Sequence, residues 1–334
     1  MTACVVNCSA PHYNLGASKL VDWLKSCGYE VTRYEGNVGW LVGGYDLVCL
    51  SVIFSWHAVI ARDLYFMAKP NSDVWVGGPG VFALRKWWTE QTGNPLAHYQ
   101  NIDGRFDRMR GKYRMTFASR GCPVGCSFCI VPRLEGSEFT LDPDFVPSPI
   151  LGDNNLSALP IEYQEHIIAR YRATGTALQD ANSGFEPATF DEGTFSRWEP
   201  LLAESRAAWR FAFDEMREVE AVERVFGLLA NVPARRKRVY CLVGNEPFDA
   251  CYERAMKIIE WGGEPHCQFV LPLNCLSRDE VGTRPKHGWT YQRGQDFCRF
   301  FNAHIYRAVK ITEYKPRVFE QPPFSMIMEK VKLT

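Results

Sequence analysis

The sequence has no excess of charge in either direction. Its 334 residues carry 38 Lys and Arg against 38 Asp and Glu. A neutral chain offers no general attraction to a phosphate backbone, so bulk charge does not drive it onto nucleic acid. The strongest basic run, Arg235 to Arg238, precedes a strand pattern and reads as a solvated loop. Long apolar runs are missing too. Stretches such as "YDLVCLSVIF" are interrupted and too short to span a bilayer. The opening "MTACVVNCSAPHYNLG" lacks a basic start and an apolar core, so no secretory signal is expected and a cytoplasmic location is. No exact internal repeat and no low-complexity tract occurs.

What remains is the composition of a folded chain, 46% hydrophobic and 13% aromatic. Its twelve cysteines, without an export signal, point to thiols and metal ligands rather than disulfides.

The first 95 residues alternate strand and helix patterns: "ACVVNC", "LGASKLVDWLKSCG", "YEVTRYEG", "YDLVCLSVIF", "WHAVIARDLYFMAK" and "SDVWVGGPG". That alternation predicts a parallel sheet covered on both faces. A linker is expected over 96–114. Six further β-α steps follow over 115–275, with strand patterns "YRMTFAS", "PILGDN", "ALQDANS", "WRFAFD", "RVYCLVG" and "CQFVLPLN". The expected fold class is therefore α/β: a small N-terminal parallel-sheet, Rossmann-like domain followed by a partial (β/α)6 TIM-type barrel. Residues 276–334 form an aromatic and basic extension expected to cover the barrel, with a helix from Gln295 to Val309.

The stretch "SRGCPVGCSFCIVPRLEG" concentrates the chemistry. Cys122, Cys126 and Cys129 fall within eight residues, and Gly121, Pro123 and Gly125 allow tight turns that could bring the sulfurs together. Soft thiolates suit zinc, copper or an iron–sulfur cluster. Structural zinc needs a fourth ligand. No second close pair follows, and His166 and Cys267 are distant. Three cysteines at this spacing, with Phe128 before the last, resemble the cluster loop of the radical S-adenosylmethionine (radical SAM) enzymes. The resemblance covers about Lys112 to Asn274. It implies a 4Fe-4S cluster on the three cysteines. The cluster would reductively cleave S-adenosyl-L-methionine to a 5'-deoxyadenosyl radical, with an electron donor such as flavodoxin or ferredoxin. Two alternatives stand beside it: a cobalamin-dependent methyltransferase or RNA-modifying member, and a non-catalytic, zinc-stabilised binding scaffold.

Polar residues at strand ends are the candidates for holding the cofactor. Asp153 and Asn154 stand where the resembled enzymes hold the methionine amino group; the alternative is a turn or cap. Asp180, Asn182 and Ser183 end the third strand pattern, Asp214 the fourth, Gly244 and Asn245 the fifth, and Leu273 the sixth. Arg210 shares a strand face with Asp214. In the first domain, Gly77, Gly78 and Gly80 permit either close approach to a bound group or a turn, and His57 faces that crevice or caps a helix. The cobalamin signature Asp-x-His-x-x-Gly is absent. Cys241, Cys251, Cys267, Cys275 and Cys298 are too irregularly spaced to read as a second cluster. A small-molecule or peptide substrate is favoured; a nucleic acid is the second class, suited by Arg284, Lys286, His287, Trp289, Tyr291 and Arg293.

Overall fold

The computed structural model describes residues 1–95, 109–182, 184–277 and 286–315. Most of the expected linker, Ser183, Arg284 and the end of the extension lie outside them. The chain forms two compact units. The first comprises Met1–Asn154, Arg170–Thr176 and the stretch from Leu271; the second comprises Asn155–Ala169, Ala177–Val270 and the described residues after 285.

The first unit is built on a four-stranded sheet in the order β2-β1-β3-β4, from β1 (Thr2–Asn7), β2 (Glu30–Glu35), β3 (Leu47–Ser51) and β4 (Asp73–Gly77). All three pairings are parallel. Strands buried on both faces need unbroken apolar runs, and "CVV" and "LVCL" supply them. Ala3, Val5, Leu47 and Cys49 pack under helix α1 (Leu15–Ser26). Cys4, Val6, Val48 and Leu50 pack on the opposite face under α2 (Ala58–Ala68), with Trp88 of α4 (Arg85–Thr92). Helix α1 starts where Asn14 accepts the Ala17 N–H at 2.9 Å. A short helix α3 (Pro79–Ala83) separates β4 from α4.

The "GGPG" run ending β4 is shaped by the chain itself. Gly78 has φ +105, and a Cβ there would stand 2.2 Å from the Val52 carbonyl oxygen; one on Gly80 would stand 2.6 Å from the Phe54 carbonyl carbon. The glycines let the turn lie directly on the backbone that leaves β3. His57 precedes α2 without a side-chain capping bond and stands edge-on to Phe54 and Trp56.

The rest of the first unit adds β5 (Met115–Thr116), parallel to β8 (Ile150–Leu151), and β6 (Ser119–Arg120), antiparallel to β7 (Thr140–Leu141). Helix α5 (Val131–Leu134) lies inside the β6–β7 hairpin. Arg170 and Tyr171 of α6 (Ile161–Thr174) bond the carbonyls of Phe145 and Ser148 at 2.7 and 2.8 Å.

The second unit centres on a parallel sheet of β10 (Trp209–Ala212), β11 (Lys237–Val243) and β12 (Glu264–Phe269), with β9 (Asp180–Ala181) bridging to Ala208. Trp209, Phe211 and Phe213 alternate into the core. The first two meet Phe185 and Phe190, and Phe185 also meets Trp198 of α7 (Glu192–Ser205). Helices α8 (Val219–Leu228) and α9 (Phe248–Glu260) complete the β-α steps. Strand β12 is guarded by Asn302 of α10 (Tyr291–Asn302), which bonds both the N–H and the carbonyl of Cys267, at 2.7 and 2.8 Å. This satisfies edge groups that would otherwise template another strand.

The protein is thus α/β with parallel sheets, and no closed barrel is seen among the described residues. The strand patterns at "YRMTFAS", "PILGDN" and "ALQDANS" become strands of two residues each. The last helix starts four residues earlier than expected because Thr290 caps it, accepting the Arg293 N–H at 3.2 Å; it stops before His304, which is left-handed at φ 56. No described helix is long and apolar enough to cross a membrane.

Candidate ligand-binding site

The cysteine loop does not form the expected centre. Among the described residues no group of three or more His, Cys, Asp or Glu side chains is placed to hold a metal ion. Cys122, Cys126 and Cys129 are half-buried, and none is disulfide-bonded. The loop is held by a carboxylate instead. Glu135 accepts the Gly121 N–H at 3.1 Å and the Asn154 amide at 2.7 Å, and pairs with Arg120 at 3.2 Å. The Cys122 N–H bonds the Gly136 carbonyl at 3.2 Å, closing the base of the hairpin. Cys129 accepts the Val131 N–H at 3.4 Å, and burial is the largest influence pushing its thiol pKa up.

These observations overturn the radical SAM reading. The 4Fe-4S cluster, the S-adenosyl-L-methionine cleavage and the enzyme class resting on them are withdrawn. So is the zinc-stabilised alternative. Cobalamin has no support in the described residues.

Several of the strand-end residues bond to the chain itself. Asp153 is fully buried and accepts from the Ala118 N–H at 2.8 Å and the Ser119 hydroxyl at 2.5 Å. Burial lifts its pKa to about 6 against those bonds. Asp180 takes a two-bond clamp from Arg210 at 2.5 and 2.7 Å. The Asn182 carbonyl accepts from Tyr240 at 3.2 Å. Asn245 donates to the Asp214 carbonyl at 2.7 Å. The Cα of Gly244 faces the Phe269 ring, 2.5 Å from where a Cβ would stand. Leu273 is half-buried near Cys275, whose sulfur lies 3.8 Å from the Ser55 hydroxyl.

Asp214 accepts the Leu242 N–H at 2.9 Å, and burial with Glu218 nearby raises its pKa to about 7. A carboxyl whose native pKa lies above its unfolded value near 4 binds its proton more tightly when folded. Its stabilising effect is complete at low pH and is lost as pH rises through the native value. The Asp214 contribution to folding stability should therefore fall between pH 5 and 7. Asp214→Asn should remove about 2 kcal/mol of that fall, measured by urea unfolding at the two pH values.

A different region, inside the first unit, offers open space. A cleft of about 510 Å³ lies beside the start of α1 and the carboxyl ends of β3 and β4. Leu15, Leu20, Ile53, Trp75, Met115, Phe117 and Leu134 give it apolar walls. Asn14, Lys19, Ser51, Arg120 and Glu135 bring polar groups, and Gly77 and Gly78 bring backbone. The sheet order explains the place. Helix α1 leaves β1 toward one face and α2 leaves β3 toward the other, so a crevice opens between them. The Asn14 side-chain amide donates to the Asn7 side-chain oxygen at 3.1 Å and to the Ser51 hydroxyl at 2.9 Å. The Arg120 guanidinium lies 3.7 Å over the Phe117 ring, so its charge stays at one wall. Gly77 and Gly78 were readable in the sequence. Met115, Phe117, Leu134 and Glu135 were missed, because no local pattern ties them to β3 and β4.

Comparisons with protein-family models, curated proteins and solved structures find no match to this chain.

Proposed function

We propose that this protein binds a small, largely apolar molecule carrying one polar or anionic end in the cleft of its first unit. The carrying observation is the cleft itself: its volume falls within the few-hundred-to-thousand Å³ range of small-ligand sites. Its position at the carboxyl ends of parallel strands is where such sheets hold ligands. The apolar walls would take the body of the ligand. Lys19 and the first turn of α1 would favour negative charge at its end, while Arg120 is balanced by Glu135 on the same wall. The Rossmann-like description of the first sheet, and a partial barrel over 115–275, belong to the same proposal.

Gly16 offers the test. It lines the cleft, its φ is ordinary, and a Cβ there would meet only Asn14 Oδ1, at 3.4 Å. Gly16→Phe should fill the space without straining the helix. With 1-anilinonaphthalene-8-sulfonate as probe, the wild type should bind one equivalent. Gly16→Phe should weaken binding at least about tenfold with an unchanged or raised Tm. Equal binding by both would reject the cleft as the site.

A further inference from the structure

We propose that the second unit carries its own oxyanion-binding site, formed by Arg238 and His266 on one face of the β10-β11-β12 sheet. Parallel pairing sets Arg238 between Arg210 and Glu264, and Tyr240 between Ala212 and His266. The period of two places Arg210, Arg238, Tyr240, Glu264 and His266 on the same face. All five are half-buried rather than core residues.

Their bonding is uneven. Arg210 spends its donors on Asp180 and, at 2.7 Å, on the Tyr240 hydroxyl. Tyr240 passes its own proton to the Asn182 carbonyl and stands edge-on to His266, with ring centres 5.5 Å apart. Arg238 has no hydrogen-bond or ion-pair partner among the described residues, and neither has either ring nitrogen of His266. Glu264 reaches Arg307 at 3.8 Å. Among the described residues on this face, the Arg238 guanidinium is thus the one left without a bonded partner, beside a half-buried imidazole. The Asp180 clamp balances Arg210 and leaves the charge of Arg238, directly across the strand pair, without a bonded counter-ion. A fork beside an imidazole N–H matches the oxygens of a phosphate or carboxylate group.

The groups facing His266 are Arg238 and Tyr240 from β11, Arg210 and Asp180 from β10 and β9, and Glu264 and Gln268 on its own strand. Burial, then Arg238 and Arg210, lower its pKa, which favours the neutral ring. A bound anion would oppose that influence and stabilise the protonated ring.

The experiment follows the seven histidines by NMR in the full chain. His266 is assigned with His266→Gln. Inorganic phosphate and acetate are titrated separately at constant ionic strength with chloride. We expect the His266 pKa to rise by about half a unit or more with saturation, as an added opposite charge requires. Arg238→Met should abolish the saturation. Phosphate acting at lower concentration than acetate would mark a phosphoryl ligand; the reverse would mark a carboxylate. A shift that never saturates, is shared by the other histidines, or persists in Arg238→Met overturns the site. If Arg238→Met does not fold, the wild-type saturation decides alone.

Discussion

Arg254→Met is expected to lower the stability of the protein by about 3–5 kcal/mol, the cost of leaving a buried ionic partner uncompensated. Arg254 is fully buried in the second unit. Its guanidinium donates to the Phe213 carbonyl at the end of β10 and to the Leu242 carbonyl of β11 at 2.7 Å. It pairs with Glu246 at 3.0 Å and contacts the sulfurs of Cys241 and Cys251 at 3.1 and 3.3 Å. One side chain of α9 thus ties together two strand ends and the loop after β11. Methionine keeps an unbranched apolar stem and removes every donor, so two carbonyls and a carboxylate lose their partners. Lysine keeps the charge but not the planar fork, and should recover only part of the loss. Arg217 is the control: its side chain is 79% exposed, and Arg217→Met should change stability by less than about 0.5 kcal/mol. Urea unfolding of the three variants tests the set. A loss near 1 kcal/mol for Arg254→Met would mean that the strand ends hold without it.

Gly78→Ala is the second large effect, acting in the first unit. Two penalties combine there. The residue sits at φ +105, and the added methyl would stand 2.2 Å from the Val52 carbonyl oxygen and 2.9 Å from the Val52 nitrogen. Both obstacles are backbone, held in place by the Gly80 N–H bond to the same carbonyl at 3.0 Å. The turn must therefore move. About 3 kcal/mol or more should be lost, and probe binding in the adjoining cleft should weaken with it. Gly28→Ala separates the two penalties: its φ is +86, but nothing lies within 4 Å of the new methyl. It should cost only about 1–2 kcal/mol, the price of left-handed backbone. Equal losses for the two variants would show that the close approach at Gly78 is not rigid.

The first sheet was legible because its signals are local. "CVV" and "LVCL" mark strands covered on both faces, and "LGASKLVDWLKSCG" marks the helix that follows the first of them. The site was legible only at its glycines. The cysteine spacing fixed how far apart the thiols lie along the chain, not where their sulfurs point. The loop that carries them is tied at its start by a contact the spacing does not reveal, from Glu135 to the Gly121 N–H fourteen residues back. Likewise, Asp153 meets Ala118 across 35 residues, and Asp214 meets Leu242 across 28. A polar residue at a strand end looks the same in sequence whether it awaits a ligand or caps its own fold. Only long-range pairing separates the two.

The ligand cleft is the centre of this account, and an NMR map of 1-anilinonaphthalene-8-sulfonate binding tests it most directly. The probe should perturb the Trp75 indole and the amides of Gly16, Ser51 and Gly77 with a single binding constant, and those changes should vanish in Gly16→Phe. Perturbations centred instead on the exposed Trp40 and Phe66, or several weak sites untouched by Gly16→Phe, would contradict it.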